Sequence, residues 1–300
     1  MRLSVVIPAH NEEGCVAGTV RALATALDSD QIDHEILVVN DGSSDGTESI
    51  LRALQSELPS LRYVNNAPPN GFGFAVRKGL ASYSGNAVAV VMADASDRPE
   101  DVVRFFRTLE RDGVDCVFGS RFAVGARVID YPAHKLLINR LANLFIRLLF
   151  GLRYNDTTNA FKMYRREVID GVQPLLSHHF NLTVELPLKA IVRGYTYSVV
   201  ANDWINRKTG VSKLKIQEMG SRYLFIVLYC LLEKWLSRGD YHRKRRAAQP
   251  ALPASRSPDP AAQARGEAAS AATAPIAGGP PRPDPAPVGP VSAPPAEARR

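Results

Sequence analysis

Short apolar runs recur along the first part of the chain: LSVVI (3–7), EILVV (35–39), LRYV (61–64), AVAVVM (87–92) and DCVFGS (115–120). Between them the apolar positions take a helical spacing, in GTVRALATALD (18–28), TESILRALQSEL (47–58) and PEDVVRFFRTLERD (99–112). Runs short enough to be strands, alternating with helices, predict βαβ units and an α/β fold with a mostly parallel, Rossmann-like sheet flanked by helices. Ligands of such sheets sit outside the carboxyl ends of the strands.

Three strand exits share a polar, acidic character: PAHNEE (8–13), NDGSSDGT (40–47) and ADASDRPED (93–101). Helix capping explains part of this. Asp45 followed by Glu48 reads as a capping box, and Pro99 with Glu100 and Asp101 suits a helix start. Capping leaves Asn40, Asp41 and the pair Asp94 and Asp97 over, and these point to a ligand. A dinucleotide site would need G-x-G-x-x-G at the first exit, where Pro8, Asn11 and Glu12 stand instead. In NGFGFAVRKGL (70–80) Val76 occupies the place of the third glycine, so a nicotinamide or flavin reading is discarded.

Two later segments are amphipathic. HKLLINRLANLFIRLLFGL (134–152) puts Leu137, Leu141, Leu144, Phe145 and Leu148 along one helical face, with Arg140 and Arg147 elsewhere. An interfacial helix and a core helix both fit that pattern. YLFIVLYCLLEKWL (223–236) is shorter than the roughly 20 residues a span needs, and RGDYHRKRR (238–246) follows it as a basic cluster able to meet anionic headgroups. Peripheral attachment is the expectation.

Composition changes the picture at the C-terminal end. Residues 247–300 hold 13 of the 21 prolines and almost no large apolar side chains, so a disordered tail is expected there. Five arginines against four acidic residues leave this tail one unit positive, so six of the seven formal positive charges belong to residues 1–246. The folded part is basic, which suits anionic ligands or an anionic membrane surface. No zinc-ligand pattern, RNP motif or basic-region heptad supports nucleic acid. Cys15, Cys116 and Cys230 lack metal or redox spacing, and MRLSVVIPAHNEE lacks the form of a secretory leader, so the machinery is expected on the cytosolic face of a membrane.

VVIPAHNEE, VVNDGSSDGT, NGFGFAVRKG and VMADASDRPED, in this order, resemble the family-two glycosyltransferases of GT-A fold, and more narrowly their dolichyl- or polyprenyl-phosphate mannose synthase branch. The resemblance continues through GSRF (119–122), DTTNAFKMYRREVI (156–169), Glu185 and WINRKTGVSKL (204–214). It covers roughly residues 3–236 and implies a GT-A domain over 1–217; patterning and composition then give a membrane-proximal helix and basic cluster over 218–246 and the tail over 247–300.

The resemblance also implies roles. Pro8, Asn11, Glu12, Asn40 and Asp41 would line the nucleoside of a nucleotide-sugar donor, GDP-mannose or a UDP-hexose. Asn40 stands where an Asp is usual. Asp94 matches the second Asp of the family's Asp-x-Asp metal motif, whose first position here is Met92, which cannot ligate a hard cation. Ser96 and Asp97 could help Asp94 and the donor phosphates complete a Mg²⁺ or Mn²⁺ shell; Asp97 reads equally as a helix cap. Arg207, Ser212 and Lys213 match the loop over the donor diphosphate or acceptor phosphate. Arg121, Lys135 and Asn139 match acceptor-phosphate positions, and Glu185 an acidic position near the acceptor that could equally fix an arginine.

A lipid phosphate is already anionic and needs cations more than a base. An inverting, metal-assisted hexosyl transfer to a polyprenyl phosphate is therefore the principal expectation. Transfer to a glycan or small-molecule hydroxyl is the rival within the same class, and a non-catalytic nucleotide-sugar-binding scaffold the rival outside it. The adjacent His178 and His179 read as a surface or turn pair rather than metal ligands.

Overall fold

The computed structural model describes residues 1–205 and 216–243. All of these belong to one unit, Met1–Lys244. The chain runs β1 (Leu3–Ala9), α1 (Val16–Ser29), β2 (His34–Asn40), α2 (Thr47–Glu57), β3 (Leu61–Asn65), α3 (Phe72–Ser82), β4 (Ala87–Val90), α4 (Pro99–Arg111) and β5 (Cys116–Ser120). It continues through β6 (Val128–Ile129), α5 (Ala133–Phe150), β7 (Lys162–Arg165), α6 (Arg166–Gly171), α7 (Leu182–Val192), β8 (Tyr197–Ala201), β9 (Trp204–Ile205) and α8 (Ile216–Leu236).

Seven strands form the main sheet in the order β3-β2-β1-β4-β7-β5-β8, with β6 and β9 paired separately. All neighbours in the main sheet are parallel except β7, which lies antiparallel between β4 and β5. The mostly parallel sheet is as expected. Alternation along each strand feeds two cores. Leu3, Val5, Ile7, Ile36 and Val38 pack with α1, α2 and α4 on one face, while Val6, Leu37 and Val39 pack with α3 and α7 on the other. Burial on both faces is why these runs read as continuously apolar. On one face, Val102, Phe105, Phe106 and Leu109 of α4 come at helical spacing, and Phe105 stacks on Phe161 at 4.3 Å.

A third core ties α8 into the fold. Ile226, Val227, Cys230 and Leu231 of α8 pack with Ile146 and Phe150 of α5 and Val184 and Leu188 of α7. Arg193 meets Glu233 in a buried two-pronged pair at 2.7 and 3.0 Å. Beyond α8, the Arg243 backbone N–H donates to the Arg193 carbonyl at 2.9 Å, and its guanidinium pairs with Asp115. Through residue 243 the C-terminal segment is thus packed into the same unit as the sheet, and Arg243 of the basic cluster is held by an intramolecular partner.

The expected apolar face of α5 is on the outside. Leu137, Leu141, Leu144, Phe145 and Leu148 are exposed, Leu148 by 73%, whereas Asn143, Ile146 and Phe150 point inward. This decides against the core-helix reading. On α8, Leu224, Phe225, Leu228, Leu232, Trp235 and Leu236 are exposed as well. No helix among the described residues is long and apolar enough to cross a membrane.

Candidate active site

The exits of β1 and β2 are stitched together through their polar residues. The Asn11 side-chain oxygen accepts the Ser44 N–H at 2.8 Å, Glu12 N–H donates to the Thr47 hydroxyl at 2.9 Å, and Glu13 carboxylate accepts Gly46 N–H at 2.7 Å. Asp45 accepts the N–H groups of Thr47 and Glu13 at 3.0 and 3.2 Å, and Glu48 reaches Asn65 at 3.1 Å. The capping box read at Asp45 and Glu48 is therefore absent; α2 takes Gly46 as its N-cap, and the acids hold neighbouring loops. The start of α4 is as expected, with Pro99 in its first turn beside Glu100 and Asp101.

Asp41 is buried and preoriented. Its Oδ1 accepts from Asn66 and Asn70 at 2.7 and 3.1 Å, and its Oδ2 accepts the Gly71 N–H at 2.7 Å. A carboxylate offers about four lone-pair positions, so one remains for a ligand. The Asp41 carbonyl lies 2.8 Å from His10 Nδ1, which must therefore carry the proton. Asn40 faces away from this space, donating to Asn65 at 2.8 Å and accepting Ser43 N–H at 3.3 Å.

After β4 the chain turns through Ala95 at φ 58°, and Asp94 accepts the Ser96 N–H at 3.1 Å. Asp97 turns inward to accept Met92 N–H at 3.1 Å, and burial pushes its carboxyl up to about 7.

These exits open into a cavity of about 860 Å³. Its wall includes Pro8, His10, Glu12, Asp41, Met92, Asp94 and Ser96 on the side of the strand ends. Arg121, Thr158, Asn159 and Thr183 lie in the same wall, which continues to α5 and α8 with Lys135, Ile138, Asn139, Phe145, Leu224 and Val227. Eight of the residues singled out from sequence thus share one cavity: Pro8, Glu12, Asp41, Asp94, Ser96, Arg121, Lys135 and Asn139. Asn11, Asn40, Asp97 and Glu185 are not in its wall. Glu185 is fully buried, accepts the N–H groups of Leu176 and Ser177 at 2.7 Å each, and pairs with Lys189. That is the anchoring alternative read from sequence, with a lysine in place of an arginine. Arg207, Ser212 and Lys213 lie outside the described residues, as does the tail.

Arg121 is gripped by Asp156. Asp156 accepts its Nε and Nη2 at 2.8 and 2.7 Å and its backbone N–H at 2.9 Å, which leaves Nη1 as the donor not engaged by that carboxylate. Asn139 and Asn143 of α5 both donate to the Thr158 hydroxyl, at 3.1 and 2.9 Å, and so dock α5 onto the loop before β7. Beneath that loop Lys162 is buried and donates to the carbonyls of Thr157 and Thr183 at 3.0 and 3.1 Å, and to that of Asn159.

The sequence reading missed His10, Asn70, Tyr131, His179, Phe180, Trp204, Arg222 and Tyr223, all in the wall. Phe72 stacks on Phe180 at 4.3 Å and Phe74 on His178 at 4.6 Å. His178 therefore packs while His179 faces the cavity. For His179 and Phe180 the signal is only tertiary, because the loop over 177–181 meets α3 across about 100 residues of sequence.

The profile of glycosyl transferase family 2 matches residues 4–172. A polyprenol monophosphomannose synthase of Mycolicibacterium smegmatis is 30% identical over 222 residues, covering 71% of this chain and 81% of that protein. An undecaprenyl-phosphate mannosyltransferase of Micrococcus luteus is 25% identical over 240 residues, covering 78% and 96%. Among solved structures, glucosyl-3-phosphoglycerate synthase from Mycobacterium tuberculosis, in complex with Mn²⁺, uridine diphosphate and phosphoglyceric acid, superposes with a TM-score of 0.58 at 20% identity over 78% of each chain. The same enzyme with Mg²⁺ and uridine diphosphate gives 0.56 at 21% identity, over 78% of this chain and 79% of that one. At these identities the structural likeness speaks for the fold, the GT-A arrangement of a mostly parallel sheet between helices. With the sequence matches beside it, this chain belongs to glycosyl transferase family 2 and is a glycosyltransferase.

Proposed function

We propose that this glycosyltransferase moves mannose from a nucleotide-sugar donor to the phosphate of a polyprenyl phosphate. The observation that carries this is the two-ended character of one cavity. Carboxylates in its described wall, Glu12, Asp41 and Asp94, all come from the exits of β1, β2 and β4, and none comes from α5 or α8. The α5 and α8 side offers Lys135, Arg222, Asn139 and Tyr223 among apolar residues, which suits a ligand with an anionic head and a hydrocarbon body.

The nucleoside would lie against Pro8, His10, Glu12 and Asp41, with the diphosphate toward Asp94 and Ser96. A divalent cation fits here in the manner of Mg²⁺, which is bound through one or two carboxylates, substrate phosphates and water. Asp94 is the wall carboxylate that would hold it, while the Met92 side chain supplies no oxygen and Asp97 is turned to a backbone N–H. When bound, Mg²⁺ or Mn²⁺ would neutralise charge on the leaving diphosphate. Arg207, Ser212 and Lys213 are proposed to add cationic and hydroxyl contacts there, on the strength of the family resemblance.

The acceptor phosphate would be held by Arg121, Lys135 and Asn139. A phosphate monoester is mostly dianionic at neutral pH, so its oxygen attacks the anomeric carbon without a general base. A new carbon–oxygen bond forms as the bond to the diphosphate breaks, the electron pair leaves on the diphosphate, and the anomeric centre inverts. The exposed apolar faces of α5 and α8 support peripheral attachment to a lipid surface, from which the hydrocarbon chain would enter.

The test incubates the full chain with labelled GDP-mannose or UDP-glucose, a polyprenyl phosphate and Mn²⁺ or Mg²⁺, beside Asp94→Asn. Label is expected in the lipid fraction, dependent on metal and lost by about a hundredfold or more in the variant. Donor hydrolysis or transfer to a soluble hydroxyl, with no lipid product, would refute the reading.

A further inference from the structure

We propose that Lys162 is a positioning residue for the acceptor phosphate: its buried ammonium fixes the loop that holds Arg121 and Asn139, and ties that loop to α7. This rests on the acceptor site proposed above. Residues 156–159 close as a turn, the Asn159 N–H donating to the Asp156 carbonyl at 3.1 Å. Side chains of the turn serve the acceptor side. Asp156 accepts from the Arg121 guanidinium, the Thr158 hydroxyl accepts from Asn139 and Asn143, and the Asn159 amide donates to the Gly119 carbonyl at 3.0 Å. Arg121, Asn139, Thr158 and Asn159 all line the cavity.

The carbonyls of the same turn converge on Lys162. Its Nζ donates to the Thr157 carbonyl at 3.0 Å and to that of Asn159. A third acceptor comes from the first turn of α7, the Thr183 carbonyl at 3.1 Å. Within a helix that carbonyl takes the N–H four residues on, but the residue there is Pro187, which has none. Lys162 supplies the donor that the proline lacks, and Thr183 is itself a wall residue. An ammonium has three N–H donors, and the three carbonyls engage all of them. At 1% exposure, solvent does not stand in for the ammonium if it is removed, so both the turn and the start of α7 lose their hold together.

The experiment measures KM for a detergent-dispersed short polyprenyl phosphate and, separately, for the donor, in the full chain. Wild type is compared with Lys162→Gln, with the double variant Lys162→Met and Pro187→Ala, and with Glu35→Gln. Pro187→Ala returns an α7 N–H to the Thr183 carbonyl, which offsets part of the lost stability and leaves the Thr157 and Asn159 carbonyls unheld. Glu35→Gln weakens the fold at the start of β2, outside the cavity wall. Both Lys162 variants are expected to raise acceptor KM about tenfold, with donor KM within about twofold of wild type. Glu35→Gln should match wild type in both constants. The inference is overturned, with the function intact, by an acceptor KM that stays unchanged, rises together with donor KM, or rises as much in Glu35→Gln. Failure of both Lys162 variants to fold would make the lysine a residue of the core alone and overturn it too. Absence of lipid product from the wild type would overturn both the inference and the function.

Discussion

Asp41 and Asp94 stand at the exits of β2 and β4, on either side of β1, yet their carboxylates are held differently. Asp41 is held by three N–H donors and serves the loop before α3 as much as any ligand. Replacing it with Asn turns an acceptor into a donor facing Asn66, Asn70 or Gly71. We expect Asp41→Asn to lower stability by about 2–3 kcal/mol in urea unfolding and to weaken nucleotide binding in calorimetry. Gly73 shows how closely the wall is built. A Cβ there would lie 2.3 Å from the His178 carbonyl carbon, a backbone atom that cannot rotate aside. Gly73→Ala should displace the loop bearing His179, lowering stability by about 1–3 kcal/mol and raising donor KM.

Among elements, buried charged groups do the joining. Glu35 on β2 accepts from Ser4 on β1, Arg62 on β3 and the N–H of Ser84 just after α3. Burial alone would raise its carboxyl, but these donors prevail and hold it below its usual 4.5. A carboxyl depressed in the fold adds stability above that value, and the contribution disappears as pH falls through its folded pKa. Thermal midpoints measured from pH 7 down to 3 should therefore fall less steeply for Glu35→Gln than for wild type, from a lower start at neutral pH. At the other end of the fold, Arg193 and Glu233 lock α7 to α8 almost without solvent. Glu233→Ala strands a buried guanidinium, and the expected loss is about 3–5 kcal/mol in equilibrium unfolding.

For the whole molecule, the exposed faces of α5 and α8 are large apolar surfaces on helices otherwise packed into the third core. Surfaces of this kind mark interaction sites. Leu148→Glu and Trp235→Glu, exposed by 73% and 61%, should each reduce sedimentation with anionic vesicles about tenfold while leaving the unfolding transition in place. Truncation after residue 246 keeps every described contact and should retain transfer to lipid. Truncation after Leu236 removes the Arg243 contacts to Arg193 and Asp115, and the unfolding midpoint should drop.

Sequence by itself determined the mostly parallel α/β layout and the polar character of the exits of β1, β2 and β4. β1, β2 and β3, with α1, α2 and α4, follow from local periodicity, since strands buried on two faces must be apolar throughout. The polar strand exits brought Asp41 and Asp94 forward, and the family resemblance brought Arg121. β7, β8 and α7 were not legible, because their burial depends on partners distant in sequence. Lys162 on β7 and Lys189 on α7 look solvent-seeking and are buried against carbonyls and Glu185. Tertiary structure alone decided which polar residues face the cavity. Asn40 and Asp97 are adjacent in motif to residues that line it, yet the fold spends their side chains on neighbouring backbone and side-chain groups, because a buried polar atom without a partner is too unfavourable to leave. It also decided that the apolar face of α5 is turned outward: periodicity fixes that a helix has such a face, and only the packing of Asn143, Ile146 and Phe150 against the rest of the fold fixes where it points.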